Sequence, residues 1–225
     1  MTNTSAATLE LSSLDENEQV REAVAKNPST SANILEVLAR DEDQYVRYEV
    51  AKNPNTPAST LEMLSRDVIS DVRRSVADNP RVSVAILDLL AKDASYRVRY
   101  SVANSPTSSA ATLELLAKDE NYQVRCFIAE NINTPSLVLD ALAKDGSGCV
   151  RALVALNPNA ASSTLALLAN DKVKNIRARA LKNINYKGLC LTSAETTVLP
   201  PVDNDKKSND RRALIESSAE QEYVN

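Results

Sequence analysis

The apolar positions of this chain recur every 26 residues. Val or Ile followed by Arg stands at Val20-Arg21, Val46-Arg47, Val72-Arg73, Val98-Arg99, Val124-Arg125, Val150-Arg151 and Ile176-Arg177, with no slip of register. Leu9, Leu35, Leu61, Leu87, Leu113, Leu139 and Leu165 form a second column. Asp15, Asp41, Asp67, Asp93, Asp119, Asp145 and Asp171 form a third. Coincident columns at one fixed spacing are the signature of a repeat array, so the repeat sets the frame for every local assignment.

Two patterns alternate inside each unit. Leu35/Leu38, Leu61/Leu64, Leu87/Leu90 and Leu113/Leu116 are spaced by three, which predicts a short helix or a tight 3₁₀ segment with a single apolar stripe. Val46/Val50, Val72/Val76 and Val98/Val102 are spaced by four, which predicts a second helix with one buried side. Asn-Pro at 27-28, 53-54, 79-80 and 157-158 ends that helix. Proline disfavours helical backbone at the residue before it, and asparagine can satisfy backbone groups left open at the turn. Ser105-Pro106 replaces one such pair, and Asn131-Ile132 and Asn183-Ile184 relax two more.

A two-helix unit of this length cannot bury its own stripe, so neighbouring units must stack and share a core. The prediction is an all-α solenoid of about seven repeats, either α/3₁₀ or αα in its unit, spanning residues 1–190. No LxxLxLxxN segment is present, which argues against a β-containing leucine-rich repeat. Ser12 replaces the leucine of later units, as expected of a first repeat that meets water, and Leu189 and Leu191 are candidates to cover the last edge. Residues 191–225, with ETTVLPPVDNDKKSNDRR at their centre, read as a flexible tail, and RRALIESSAEQEYV near their end could form a short helix. Gly146 and Gly148, before the sixth Val-Arg pair, lower helix-start propensity and leave room for a bend, and are read as a local irregularity of the solenoid.

The segments ARDEDQYVRYEVAKNPNTP (39–57), AKDASYRVRYSVANSPTS (91–108) and AKDENYQVRCFIAENINTP (117–135) carry a repeated DxxxxVRxxVAxNPxT pattern. In this the chain resembles the leucine-rich-repeat variant family over about residues 5–190. That resemblance implies a HEAT- or armadillo-like solenoid in which an α-helix pairs with a short 3₁₀ helix and the repeats wind into a right-handed superhelix. It implies little about activity. A prototype of the family carries a cysteine-ligated iron–sulfur module before its repeats; no cysteine precedes Cys126 here, so that cofactor is not carried over and none is expected.

Composition narrows the chemistry. The 225 residues are 43% hydrophobic and 25% charged, enough apolar content for a folded core. Histidine is absent, which removes His-ligated metal sites, Ser-His-Asp triads and Cys-His pairs. Cys126, Cys149 and Cys190 are too few for a disulfide scaffold and too widely spaced for a compact metal motif. The N-terminal residues lack a basic stretch followed by an apolar one, and no apolar run approaches membrane-spanning length, so a cytoplasmic protein without membrane contact is expected.

The Asp and Arg columns lie six residues apart: Asp41 to Arg47, Asp67 to Arg73, Asp93 to Arg99 and Asp119 to Arg125. A carboxylate at the start of the second helix can cap it, and an arginine within the helix can reach a neighbouring aspartate or turn carbonyl, so these are read as a structural ladder. The candidate binding surface lies elsewhere. Counting from the Val of each Val-Arg pair, positions −2 and +2 point away from the valine stripe. They carry Tyr48, Arg74, Tyr96, Tyr100, Tyr122 and Cys126, with Tyr45 and Arg97 at the border. Tyrosine joins apolar area to a hydrogen-bonding hydroxyl, so this ridge is a candidate contact surface for a protein or peptide, with simple packing as the competing reading.

Charge is uneven along the array: residues 1–78 are net −6, residues 79–190 net +5 and residues 191–225 net −3. The basic run Lys172, Lys174, Arg177, Arg179, Lys182 and Lys187 keeps a nucleic-acid-binding HEAT-like protein as an alternative, disfavoured because the whole chain is acidic. A HEAT-like enzyme with an unrecognised site is the other alternative. The leading expectation is a non-enzymatic interaction scaffold, monomeric, with weak head-to-tail association between its acidic and basic ends as a further possibility.

Overall fold

The computed structural model of the chain describes residues 6–186. Among the described residues every regular element is an α-helix, and the helices fall into seven pairs: α1 (Ala6–Ser12) with α2 (Glu18–Lys26), α3 (Ala32–Leu38) with α4 (Gln44–Lys52), α5 (Ala58–Leu64) with α6 (Ser70–Asp78), α7 (Val84–Leu90) with α8 (Tyr96–Asn104), α9 (Ala110–Leu116) with α10 (Tyr122–Glu130), α11 (Ser136–Leu142) with α12 (Gly148–Val154), and α13 (Ser162–Leu168) with α14 (Lys174–Lys182). Both halves of the repeat are α-helical, so the αα form of the predicted solenoid is the one adopted. The chain divides between Asn133 and Thr134 into two compact units.

In the first unit the second helices stack in sequence, α2 on α4, α4 on α6, α6 on α8 and α8 on α10, while each first helix packs against the second helices that flank it in the chain. In the second unit α11 packs on α12, and α13 and α12 both pack on α14. The core is the predicted set. Leu35, Leu61, Leu87 and Leu113 in the first unit and Leu139 and Leu165 in the second are fully buried, as are Val46, Val72, Val98, Val124 and Val150. Each fully buried aliphatic side chain contributes about 1.5–3 kcal/mol relative to exposure, which offsets the ordering of helices too short to persist alone.

The ends of the second helices follow the sequence. Asn27, Asn53 and Asn79 take extended backbone before their prolines and terminate the helices there, whereas α12 already ends at Val154 with Ala155 as its cap, ahead of Asn157. The start is displaced from expectation. The column aspartate does not cap the helix; its Oδ1 accepts the backbone N–H two residues on, as in Asp41 from Asp43 (2.9 Å) and Asp93 from Ser95 (2.8 Å). The capping residue is that second one: Asn17 accepts from the Gln19 N–H, Asp43 from Tyr45 and Val46, and Asn121 from Gln123. The aspartate is drawn away because its carboxylate faces the preceding repeat.

The two glycines leave the turn itself unchanged. Neither Gly146 nor Gly148 adopts a positive φ, and the Gly146 carbonyl accepts from Arg151 Nη1 at 3.1 Å, the same bond the Glu42 carbonyl takes from Arg47 at 3.0 Å. Helix α12 is shorter than its six counterparts, seven residues against nine. Lys187, Leu189, Cys190, Leu191 and the tail 191–225 lie outside the described residues.

Candidate protein-contact groove

Two hydrogen-bond ladders fix the spacing of the second helices and therefore the surface they present. In the first, each arginine divides its donors between two repeats. Arg47 Nη1 donates to the Asp41 and Glu42 carbonyls of its own turn (2.8 and 3.0 Å), while Nε and Nη2 donate to the two carboxylate oxygens of Asp67 in the next repeat (2.6 and 3.2 Å). Arg21 engages Asp41, Arg73 engages Asp93 and Arg99 engages Asp119 in the same way, each at 2.6 Å from Nε. In the second unit Arg151 engages Asp171 at 2.7 Å. Arg125 Nη1 donates to the Asp119 and Glu120 carbonyls (2.7 and 3.1 Å).

Burial alone would raise the Asp41, Asp93 and Asp171 carboxyls. The hydrogen bonds from Arg21, Arg73 and Arg151, the backbone N–H two residues on and the nearby positive charges outweigh it and hold all three below the ordinary aspartate range. The hydrogen bonds to Asp67, Asp93 and Asp119 in turn raise Arg47, Arg73 and Arg99.

The second ladder runs through the helix-ending asparagines. Asn53 Nδ2 donates to the Ala25 and Asn27 carbonyls of the preceding repeat (2.7 and 2.9 Å), and Asn79 to those of Ala51 and Asn53 (2.6 and 3.0 Å). Asn131 repeats this on Ala103 and Ser105, and in the second unit Asn183 repeats it on Ala155 and Asn157. Sequence reasoning gave these asparagines only a local role in the turn. The signal that could have found the rest was the persistence of Asn131 and Asn183 where proline is lost, since a residue needed only to precede proline would have drifted there.

Between the stacked second helices α4, α6 and α8 lies a groove of about 400 Å³, lined by Gln44, Tyr45 and Tyr48 from α4, Ile69, Asp71, Val72 and Arg74 at α6, and Arg97 from α8. It gathers four of the eight predicted ridge and border residues: Tyr45, Tyr48, Arg74 and Arg97. Tyr45 is 60% exposed. Tyr48 is half-buried, with the Lys52 ammonium 4.9 Å from its ring centre. Arg74 Nη1 stands 3.7 Å from Asp71 Oδ1. The neighbouring Tyr96 side chain, as a hydrogen-bond acceptor, and the Asp71 carboxylate raise the Arg97 guanidinium.

The other ridge residues do not join this groove. Tyr96 is partly exposed beside Arg97, and Tyr122 is half-buried. Tyr100 turns onto Phe127 of the next repeat, with ring centroids 4.1 Å apart in an edge-to-face arrangement. Cys126, expected to point outward, is fully buried. The outward arc was therefore misplaced. Each inner second helix of the first unit is flanked by a second helix on both sides, so position +2 lies at the margin of a contact, and exposure is greatest at −1 (Tyr45, Asp71, Arg97) and +6 (Lys52, Asp78, Asn104). Among the described residues no group of three or more Cys, Asp or Glu is placed to hold a metal ion, and no helix is long and apolar enough to cross a membrane.

Stacked short helices, no strand among the described residues and two inter-repeat ladders define an αα-solenoid repeat protein. A solved structure described as a leucine-rich repeat variant with a novel repetitive protein structural motif aligns with a TM-score of 0.64 and 26% identity, over 80% of this chain and 71% of its own. The two are distant relatives within a repeat-solenoid fold. An engineered protein aligns over 80% of this chain and 94% of its own at 14% identity and a TM-score of 0.34, too loosely to bear on the fold. No family model and no curated protein matches the chain.

Proposed function

We propose that the chain is a non-enzymatic scaffold that holds a protein segment or peptide in the groove between α4, α6 and α8. The observation that carries this reading is the lining: two tyrosine rings, two guanidinium groups and one carboxylate around an apolar floor of Ile69 and Val72. Tyrosine and arginine are the residue types that anchor protein contacts, because they bring large area and several hydrogen bonds at low ordering cost. The ladders support it too, since helices held by bonds on both sides present a groove that is formed before any partner arrives, which lowers the cost of binding. Membership of the leucine-rich-repeat variant family is the finer reading of the likeness reported above, and in this reading the chain works without a cofactor.

The test is selection of a random peptide library on the full chain, followed by affinity measurements on the recovered peptides. Tyr45→Ala and Arg97→Ala, both at exposed positions, are expected to weaken binding by about tenfold or more each. Lys118→Ala, on an exposed turn after α9, is expected to leave it unchanged. Recovery of no peptide above background, or of peptides indifferent to both groove variants, contradicts the reading.

A further inference from the structure

The two ladders have open ends, and the open ends are complementary. Arg177 in α14 places Nη1 on the Asp171 and Lys172 carbonyls (2.8 and 3.1 Å), the pose of every arginine in the column. In Arg21, Arg47, Arg73, Arg99 and Arg151 the remaining Nε–Nη2 edge takes the carboxylate twenty residues on. Among the described residues, Arg177 has no carboxylate on that edge. At the other end, the Asp15 carbonyl accepts from Arg21 Nη1 and its carboxylate accepts the Asn17 N–H at 2.9 Å, as in the column aspartates, but among the described residues no guanidinium engages that carboxylate. Asn27 accepts the Ser29 N–H at 2.9 Å through Oδ1, while among the described residues its Nδ2 makes no bond of the kind Asn53 and Asn79 make. The Leu181 and Asn183 carbonyls occupy the places of the Ala155 and Asn157 carbonyls, which accept from Asn183 Nδ2.

We infer that copies of this chain associate head to tail by repeating the internal junction: Arg177 of one copy grips Asp15 of a second, whose Asn27 amide donates to the Leu181 and Asn183 carbonyls of the first. Charge favours this partner. Residues 6–31 hold five carboxylates against two cations, net −3, and residues 162–186 hold one against five, net +4. A bidentate arginine–carboxylate pair adds direction to that attraction. Helix α14 departs from the inner second helices at two neighbouring columns: Ala180 replaces a Val or Ile, and the residue that is a buried alanine at Ala25, Ala51, Ala77 and Ala103 is Leu181, 53% exposed. Leu181 gives the edge an apolar side chain to cover, and it makes the junction between copies wider there than the one between repeats. The association is accordingly weak and salt-sensitive.

A head-to-tail contact uses two different surfaces and does not close on itself at two copies. Sedimentation velocity of the full chain at low salt, from about 5 to about 500 µM, is expected to show a mass that rises past the dimer and falls back when salt is added. Asp15→Asn keeps the acceptor for the Asn17 N–H and removes the charge; Arg177→Glu reverses the other end. Each alone is expected to remain monomeric with an unchanged circular dichroism spectrum. Mixed in equal amounts they are expected to form a one-to-one dimer and nothing larger, because each supplies the end the other lacks. A parent chain that stays monomeric throughout overturns the inference. So do single variants that associate like the parent, and a mixture that stays monomeric.

Discussion

The guanidinium of Arg99 faces two repeats at once, with Nη1 on the Asp93 and Ala94 carbonyls and Nε and Nη2 on Asp119. Its side chain is only 11% exposed and that of Asp119 5%. Losing one member of so enclosed a pair leaves the other charge buried without compensation, at a cost of about 3 kcal/mol. Arg99→Ala is therefore expected to lower the urea midpoint strongly. Arg99→Lys is expected to recover little of it, since an ammonium cannot span both oxygens and the turn carbonyls. Arg66→Ala, whose Glu62 partner is as exposed as itself, is expected to cost under about 1 kcal/mol. Equal midpoints for Arg99→Ala and the parent chain would remove the ladder from the account.

The same pairs set a pH dependence. Asp41, Asp93 and Asp171 have native pKa values below those of the unfolded chain, so the stability they contribute is fully present above the unfolded value of about 4 and is lost as pH falls through the lowered native values. The urea midpoint is expected to hold from neutral pH to about 5 and to decline below about 4. Arg73→Ala, which strips Asp93 of its partner, is expected to make that decline shallower. A midpoint that rises on acidification contradicts the assignment.

At the scale of the helix, seven- and nine-residue segments cannot persist in isolation, and the stacking that sustains them is bonded as well as packed. Asn79 illustrates this with its Oδ1 on the Arg81 N–H and its Nδ2 on two carbonyls of the preceding repeat. Asn79→Asp retains the acceptor and loses the donor, setting a carboxylate against two buried carbonyls. It is expected to destabilise by at least about 2 kcal/mol. Asn79→Asp with a parent-like melting curve would show that the asparagine column serves the turn alone.

The helix ends were legible because proline acts locally on the residue before it, and the column of Asn-Pro pairs marks them directly. The caps were not. The residue two after the aspartate varies among Asn17, Asp43, Ile69, Ser95 and Asn121, so it forms no uniform column, whereas the aspartate does for a reason that lies in another repeat. A hydrogen bond across 20 or 28 residues leaves only a repeated residue in the sequence, without its partner.

For the molecule as a whole, the repeat period and core columns transmitted the solenoid almost completely, since stacking depends on the stripe and the stripe is periodic. The surface was less legible. Which arc of a second helix meets solvent depends on how its neighbours flank it, and this shifted the exposed line from −2 and +2 to −1 and +6, burying Cys126 and turning Tyr100 onto Phe127. Tyr45 and Arg97, at the border of the ridge by sequence, line the groove itself.

The most direct test of the scaffold reading is hydrogen-exchange mass spectrometry of the full chain with and without a peptide selected on it. Added protection is predicted over α4, α6 and the first turn of α8, the segments that line the groove, with the first helices α3, α5 and α7 unchanged. Protection confined to those first helices, or absent from α4 and α6 at saturating peptide, would contradict it.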